Sequence, residues 1–369
     1  MIRTSIPFLP FRLHAMISAL TLMLVFASPE ARTVPPGDVH PRGYVCVRAT
    51  QPPVIDGDLS DRAWRGAPWS ADFVDIEGLR RGLPRFRTRV KMLWDSAAFY
   101  IGAELQEPHL QGSLTRRDTV IFHDNDFEVF IDPDGDNHDY YEMEMNALNT
   151  VWDLLLKKPY RDGGSAEDAW DIRGLKTAVR LHGTINTPAD RDTGWSIEIA
   201  MPWSSLAEYA HRPAPPVPGD QWRINFSRVE WRFDAVGGKY LKVPGIREDN
   251  WVWSPQGVVD MHQPEMWGYV QFSGPKGRPS DFRPDAARRA KSTLRAIYEA
   301  EREFRKRNER WASSLAELGW EDMPTDGLAD PPGLSLTSEG FLAAATARLP
   351  GGRKETWFIT QDSRLWREQ

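Results

Sequence analysis

Among 369 residues there is a single cysteine, Cys46. One thiol cannot close an intrachain disulfide, and it offers no thiolate cluster for a structural metal site. Basic residues are not in surplus either: Lys and Arg total 46 against 52 Asp and Glu, a formal net charge of −6. Without a basic stripe there is no electrostatic footprint for a phosphate backbone, so nucleic acid is excluded as the expected partner. Long apolar runs are missing beyond the first 27 residues. Within them, Arg3 and Arg12 precede an apolar run over residues 15–26, and Val25-Phe26-Ala27 carries small residues at cleavage spacing, which predicts a secretory signal peptide over residues 1–27. An uncleaved anchor is the alternative. Cleavage would leave no transmembrane span and would send the chain to a periplasm or beyond. Cys46 stands too far past the cleavage point to carry a lipid at a new N-terminus. Also lacking is any alternation of helical and strand patterns, which removes the doubly wound α/β classes.

What fills the chain is alternation of period two. Residues 124–153 read as two strands around an acidic turn. Phe127, Val129 and Ile131 alternate with Asp126, Glu128 and Asp132, while Tyr141, Met143, Met145 and Ala147 alternate with Glu142, Glu144 and Asn146. That pattern predicts one buried face and one exposed acidic face, whose adjacent like charges call for cations, a hydrogen-bonding ligand or water to compensate them. In the turn between them, Asp132, Asp134 and Asp136 have the one-three-five spacing of hard-cation ligands, so calcium is the candidate cofactor, although Asn137 stands where an EF-hand has glycine. Further strands are expected at 87–94, 98–105, 178–181, 194–200, 223–231 and 269–272, with turn residues between them. The expected fold is mainly β: a jelly-roll-like antiparallel β-sandwich over residues 44–273, after a Pro- and Gly-rich linker over 28–43. From Asp285 the period changes to that of a helix. Leu294, Ile297, Phe304, Trp311, Leu315 and Leu318 predict one amphipathic helix over 286–318, followed by a small antiparallel sheet, as a C-terminal α+β appendage over 285–369. The apolar stripe of that helix needs cover from the sheet or the sandwich, and docking of a protein partner there is a further expectation.

Tryptophan is abundant, with 16 in all and Trp222, Trp231, Trp251, Trp253 and Trp267 in one span. Most such rings serve a core, and those left exposed are suited to stacking on the C–H faces of sugars.

Several segments taken together resemble the family 9 carbohydrate-binding modules and their DOMON-related β-sandwich relatives. They are Val54-Ile55-Asp56-Gly57 with Trp64, the strand pair at 90–94 and 99–103, the run from Asp126 to Asp132, Tyr140-Tyr141-Glu142 with Asn146, Gly194-Trp195 to Pro202-Trp203, Trp222 to Phe226, and Trp267-Gly268-Tyr269-Val270. The resemblance implies a jelly-roll-like sandwich, structural calcium, and polysaccharide or oligosaccharide ends clamped between two tryptophans. Here the clamp positions hold Phe122 and Met261. The expected ligand site therefore gathers Phe122 and His123 from one loop, Trp251, Trp253, Met261, His262, Glu265 and Trp267 from another, and Arg228 from the strand beside it, with Trp267 equally readable as core. The sheet face bearing Arg228 and Glu144 is the alternative site. The expected role is non-catalytic. Two other classes remain open: a glycoside hydrolase using two of the many carboxylates, and a haem domain drawing on Met143, Met145, Met261 or His262 without a c-type attachment motif.

Overall fold

The computed structural model describes residues 40–320 and 325–368. The expected signal peptide and most of the expected linker lie outside the described residues. The first part of the chain forms β1 (Gly43–Arg48), β2 (Val74–Asp75), β3 (Thr88–Trp94), β4 (Ala98–Gln106), β5 (Asp126–Asp132), β6 (Tyr140–Asn146), β7 (Val151–Leu156) and β8 (Ala166–Glu167). The next part adds β9 (Lys176–His182), β10 (Gly194–Pro202), the single turn α1 (Trp203–Leu206), β11 (Gln221–Glu230), β12 (Phe233–Val236), β13 (Lys239–Lys242), β14 (Asp249–Val252) and β15 (Gly268–Ser273). All but β12 and β13 join one hydrogen-bonded path, β8-β7-β6-β5-β11-β15-β1-β3-β4-β10-β9, with β14 beside β11 and β2 beside β14. The path curls into two facing layers. Most pairings are antiparallel as expected, yet β1 runs parallel to both of its neighbours, β15 and β3.

Period-two alternation sends one side of every long strand into the space between the layers. Phe127, Val129, Tyr141, Met143, Ile224, Phe226 and Trp253 from one layer meet Val90, Met92, Phe99, Ile101, Ile197 and Ile199 from the other in one apolar cluster. The opposite side of β5 and β6 is expected to be solvated, but it is not. Asp126, Glu128, Glu142 and Glu144 are all at most 5% exposed. The reason is a second apolar cluster, in which Ile76, Val252, Met261 and Trp267 pack onto Phe130, Tyr140, Leu154 and Leu156 of that outer face. Chain that is remote in sequence therefore covers a surface the local pattern leaves open.

The C-terminal helix α2 spans Arg288–Asn308 and stops ten residues short of the expected end. Glu309 takes a left-handed conformation (φ 57°) and its N–H bonds the Arg305 carbonyl, closing the helix. Trp311 and Leu315 then return toward the helix from a turn, where the N–H of Ala312 donates to Glu301. A four-stranded antiparallel sheet follows: β16 (Gly333–Leu336), β17 (Phe341–Arg348), β18 (Lys354–Thr360) and β19 (Leu365–Arg367). Leu294, Ile297 and Phe304 of α2 pack on Phe341, Ala343, Ala345, Ala347 and Ile359. The apolar stripe is thus covered by the sheet of the same chain. Among the described residues no helix is long and apolar enough to cross a membrane.

Sandwich and C-terminal unit meet through polar contacts. Asp162 accepts from Tyr298 Oη at 2.5 Å, from Arg302 at 2.8 Å and from Ser363 Oγ at 2.6 Å. Glu265 pairs with Arg161 at 2.9 Å and with Arg295 at 3.5 Å.

Candidate functional site

A row of side chains crosses the outer face where β14, β11, β5, β6 and β7 lie side by side. Register sets Val252 beside Ser227, Ser227 beside Glu128, Glu128 beside Glu144, and Glu144 beside Trp152. Asp126 and Glu142 flank this row on the same face, two residues from Glu128 and Glu144. One oxygen from each of Asp126, Glu128 and Glu144 lies within 4.8 Å of the others. Burial among like charges raises their affinity for protons. Burial alone pushes Glu128 up to about 7, with the Ser227 hydroxyl opposing the shift. Burial together with neighbouring carboxylates lifts Asp126, Glu142 and Glu144 well above the ordinary carboxylate range.

Aromatic side chains border this acidic floor. Glu144 Oε2 accepts the backbone N–H of Phe122 at 3.0 Å, which fixes an exposed ring at one side. Trp231 Nε1 donates to the Phe122 carbonyl at 2.8 Å, and Lys242 Nζ donates to the His123 carbonyl at 2.5 Å, so β11 and the β12–β13 hairpin brace the same edge. On another side stands Tyr160, 46% exposed. Burial, then Glu142, Asp168 and Glu144, push its phenol up to about 12, which places the ring within electrostatic reach of the floor. Tyr160 is held by a tight turn: Gly163 is left-handed (φ 79°), and a Cβ on Gly164 would sit 1.8 Å from the Lys158 carbonyl oxygen. Trp152 is half-buried between the floor and the second apolar cluster.

The expected ligand residues are placed as follows. Phe122 and His123 are exposed neighbours with ring centroids 4.8 Å apart. The three expected tryptophans point inward. Trp253 is 1% exposed in the main core, against Phe226 and the backbone at Gly268. Trp267 is fully buried against Phe130 and Tyr140, its Nε1 donating to the Met261 carbonyl at 2.8 Å. Trp251 is 2% exposed beneath the Arg85 and Arg228 guanidiniums. A ring enclosed on both faces has none left for a sugar, so these three are corrected to core residues. Met261 belongs to the second apolar cluster. Arg228 is 1% exposed and spent on Glu107 and Glu230, each at 2.8 Å, with Thr88 and the Gln106 carbonyl completing its fork. Glu265 is taken by Arg161 and Arg295.

His262 lies closer to the floor. Its Nδ1 is 3.0 Å from Tyr140 Oη and its ring is 4.4 Å from that of Tyr160. Burial lowers its pKa to about 4, so the ring is neutral near pH 7. Met143 and Met145 sit in the main core, fully buried among apolar neighbours, where their sulfurs face packed side chains rather than a ligand. The residues that sequence reasoning missed as site members are Asp126, Glu128, Glu142, Trp152, Tyr160 and Ser227. An aromatic just before a Gly-Gly turn was the available signal for Tyr160.

The acidic turn after β5 is organised differently from the floor. Asp132 accepts the N–H groups of Gly135 at 2.8 Å and Asn137 at 3.0 Å, and Asp136 accepts from His138 at 2.8 Å and from Arg364 at 3.2 Å. One oxygen from each of Asp132, Asp134 and Asp136 lies within 4.8 Å of the others. Carboxylate oxygens that already accept one N–H keep a second lone pair, so these residues fit a calcium ion.

Comparisons with known proteins bear on the sandwich. Residues 55–217 match the family described as carbohydrate family 9 binding domain-like. The exoglucanase XynX of Acetivibrio thermocellus is 25% identical over 154 residues, which is 42% of this chain but only 12% of that enzyme. A family 9 carbohydrate-binding module from Caldicellulosiruptor kristjanssonii, solved with cellotriose, is 16% identical with a TM-score of 0.42, covering 66% of this chain and 99% of the module. A structure of a family 9 module from the same organism with glucose gives 17% identity and a TM-score of 0.41, covering 65% of this chain and all of that one.

Proposed function

We propose, from the match of residues 55–217 to the family described as carbohydrate family 9 binding domain-like, that the protein is an exported, non-catalytic glycan-binding protein. The bound oligosaccharide lies over the outer face of β5, β6 and β7. The observation that carries the placement is exposed Phe122, its backbone N–H held by buried Glu144, with exposed Tyr160 packed on His262, which in turn meets Tyr140 of the same strand as Glu142 and Glu144. A sugar ring has apolar C–H faces and polar hydroxyl edges. Aromatic rims supply area for the faces, while carboxyl oxygens, Tyr160 Oη and His123 supply partners for the edges. The cellotriose and glucose bound by the related modules make β-linked glucose chains the first ligands to try.

The non-catalytic reading is supported by the match of residues 55–217 to a family described as a binding domain. Export rests on the N-terminal signal pattern over residues 1–27. Structural calcium at the Asp132–Asp136 turn is part of the proposal, and a melting temperature unmoved by calcium and chelator would remove it.

A glycan array on the mature chain followed by calorimetric titration tests the function. Phe122→Ala and Tyr160→Ala should each weaken binding by about 1–2 kcal/mol while melting like the parent. Unchanged affinity in both folded variants would overturn the placement, and an array with no glycan retained would overturn the function.

A further inference from the structure

Three acidic clusters lie on the sandwich, and they differ in what compensates them. Asp153 and Asp171 in the first are bridged by the Arg117 guanidinium. The Asp132–Asp136 turn has backbone N–H donors and Arg364. The third, Asp126 with Glu128 and Glu144, has no ion pair among the described residues, although it is the most deeply buried of the three. Uncompensated charge in such a place is costly.

Two further oxygens single this cluster out. Asp126 Oδ1 accepts the Val229 N–H at 3.1 Å, but its Oδ2 is buried with no partner. Ser227 is fully buried and stands beside Glu128 in the β11–β5 register, near enough to oppose its shift, yet its Oγ makes no hydrogen bond of ordinary geometry. Asp126 Oδ2 is an acceptor among acceptors, and the Ser227 hydroxyl, which can donate to one carboxylate, keeps lone pairs to give. A group that only accepts electron pairs, a metal cation, satisfies all of them together.

We infer that Asp126, Glu128, Glu144 and Ser227 Oγ form a site for a divalent hard cation on the outer face of the sandwich, separate from the Asp132–Asp136 turn. Calcium–oxygen distances of about 2.3–2.6 Å put opposed ligands up to roughly 5 Å apart, and the 4.8 Å span of the three carboxylates fits within that. Three rigid strands hold the ligands, as a preformed site requires. Glu144 also binds the backbone of exposed Phe122, so the cation lies one residue from the surface and within reach of entry. Glu142, beside Glu144, adds negative charge that favours retention. Six residues of β5 separate Asp126 from Asp132, roughly 20 Å at about 3.3 Å per residue, so one ion cannot serve both clusters. The inference stands whether or not a glycan binds above.

The test uses the full mature chain, stripped with chelator and titrated calorimetrically with calcium chloride alone. Asp126→Asn and Glu128→Gln should each lower the number of bound ions by one relative to the parent, while Asp134→Asn leaves this ion in place. Ser227→Ala keeps every charge and should weaken the site by about tenfold; it serves if the acidic variants fail to fold, as judged by melting in chelator. A parent protein that takes up no calcium would overturn the inference. So would Asp126→Asn, Glu128→Gln and Ser227→Ala titrations that coincide with the parent's.

Discussion

The two faces of the sheet formed by β5, β6, β7 and β11 are buried to a similar degree and by opposite chemistry. On the inner face, Phe127, Val129, Met143, Phe226 and Trp253 meet apolar side chains of the facing layer. On the outer face, Asp126, Glu128, Glu142 and Glu144 lie under chain from β14 and the segment leading to Trp267. Apolar contact alone can settle the inner face. An outer face made of carboxylates needs donors, protons or cations, and where the protein supplies none of its own, something else has to. Equal burial therefore carries different meanings: packing on one side, and readiness to take up a ligand on the other.

Four substitutions or conditions probe that contrast. Trp253→Ala on the inner face should cost the most, about 3–5 kcal/mol in chemical denaturation, because a large ring is lost from a close-packed core. A loss under about 1 kcal/mol would mean the inner face is not packed as described. Next comes Asp132→Ala, at the far end of the outer face. It strands the Gly135 and Asn137 N–H groups and should cost about 2–4 kcal/mol. This would show that an acidic residue on the outer face stabilises wherever the backbone satisfies it.

The third prediction concerns acid. His262 is held near a pKa of about 4, against an ordinary 6.5, chiefly by burial. Its neutral form is the one the fold favours. That contribution is present in full above pH 6.5 and is lost as pH falls through about 4. Allowing for partial exposure, it amounts to on the order of 2 kcal/mol. Denaturation midpoints at pH 7 and 4.5 should lie closer together in His262→Phe than in the parent, and an equal separation in the two proteins would exclude the histidine. The smallest effect has the opposite sign. In chelator, Glu128→Gln should stabilise by about 1 kcal/mol, because it removes a buried charge that has no ion-pair partner among the described residues. A loss as large as that of Trp253→Ala would erase the distinction between the faces.

Much of the fold was legible in the sequence. Alternation placed β3 to β6 and their turns, and the change of period near Asp285 located α2 and the sheet after it. What alternation could not convey was what lies opposite a polar face. Asp126 and Glu128 looked solvated because Val252, Met261 and Trp267, which cover that side, stand more than a hundred residues away. The same remoteness misassigned the tryptophans. Trp253 and Trp267 sit in loops that the family resemblance placed at the ligand, but their rings turn inward to Phe226 and to Phe130. Phe122 was legible because its neighbours in sequence are also its neighbours in space. Helix length was overestimated because Trp311 and Leu315 keep helical spacing by returning to the helix after the left-handed Glu309.

β1 has a consequence for how the chain becomes a sandwich. Gly43 pairs with Tyr269 and Val47 with Leu93, so β1 is the seam between two layers that cannot be joined until β15 exists. Contacts of such long range are slow to form, and until they do the edges of β3 and β15 stand open. The stretch matched to the family, residues 55–217, contains neither β1, β11 nor β15. Produced alone, that fragment would leave β5 without β11 and β3 without β1, two bare strand edges of the kind that template aggregation. The smallest piece expected to remain monomeric runs from Gly43 through Ser273, so the unit of folding is larger than the unit of resemblance.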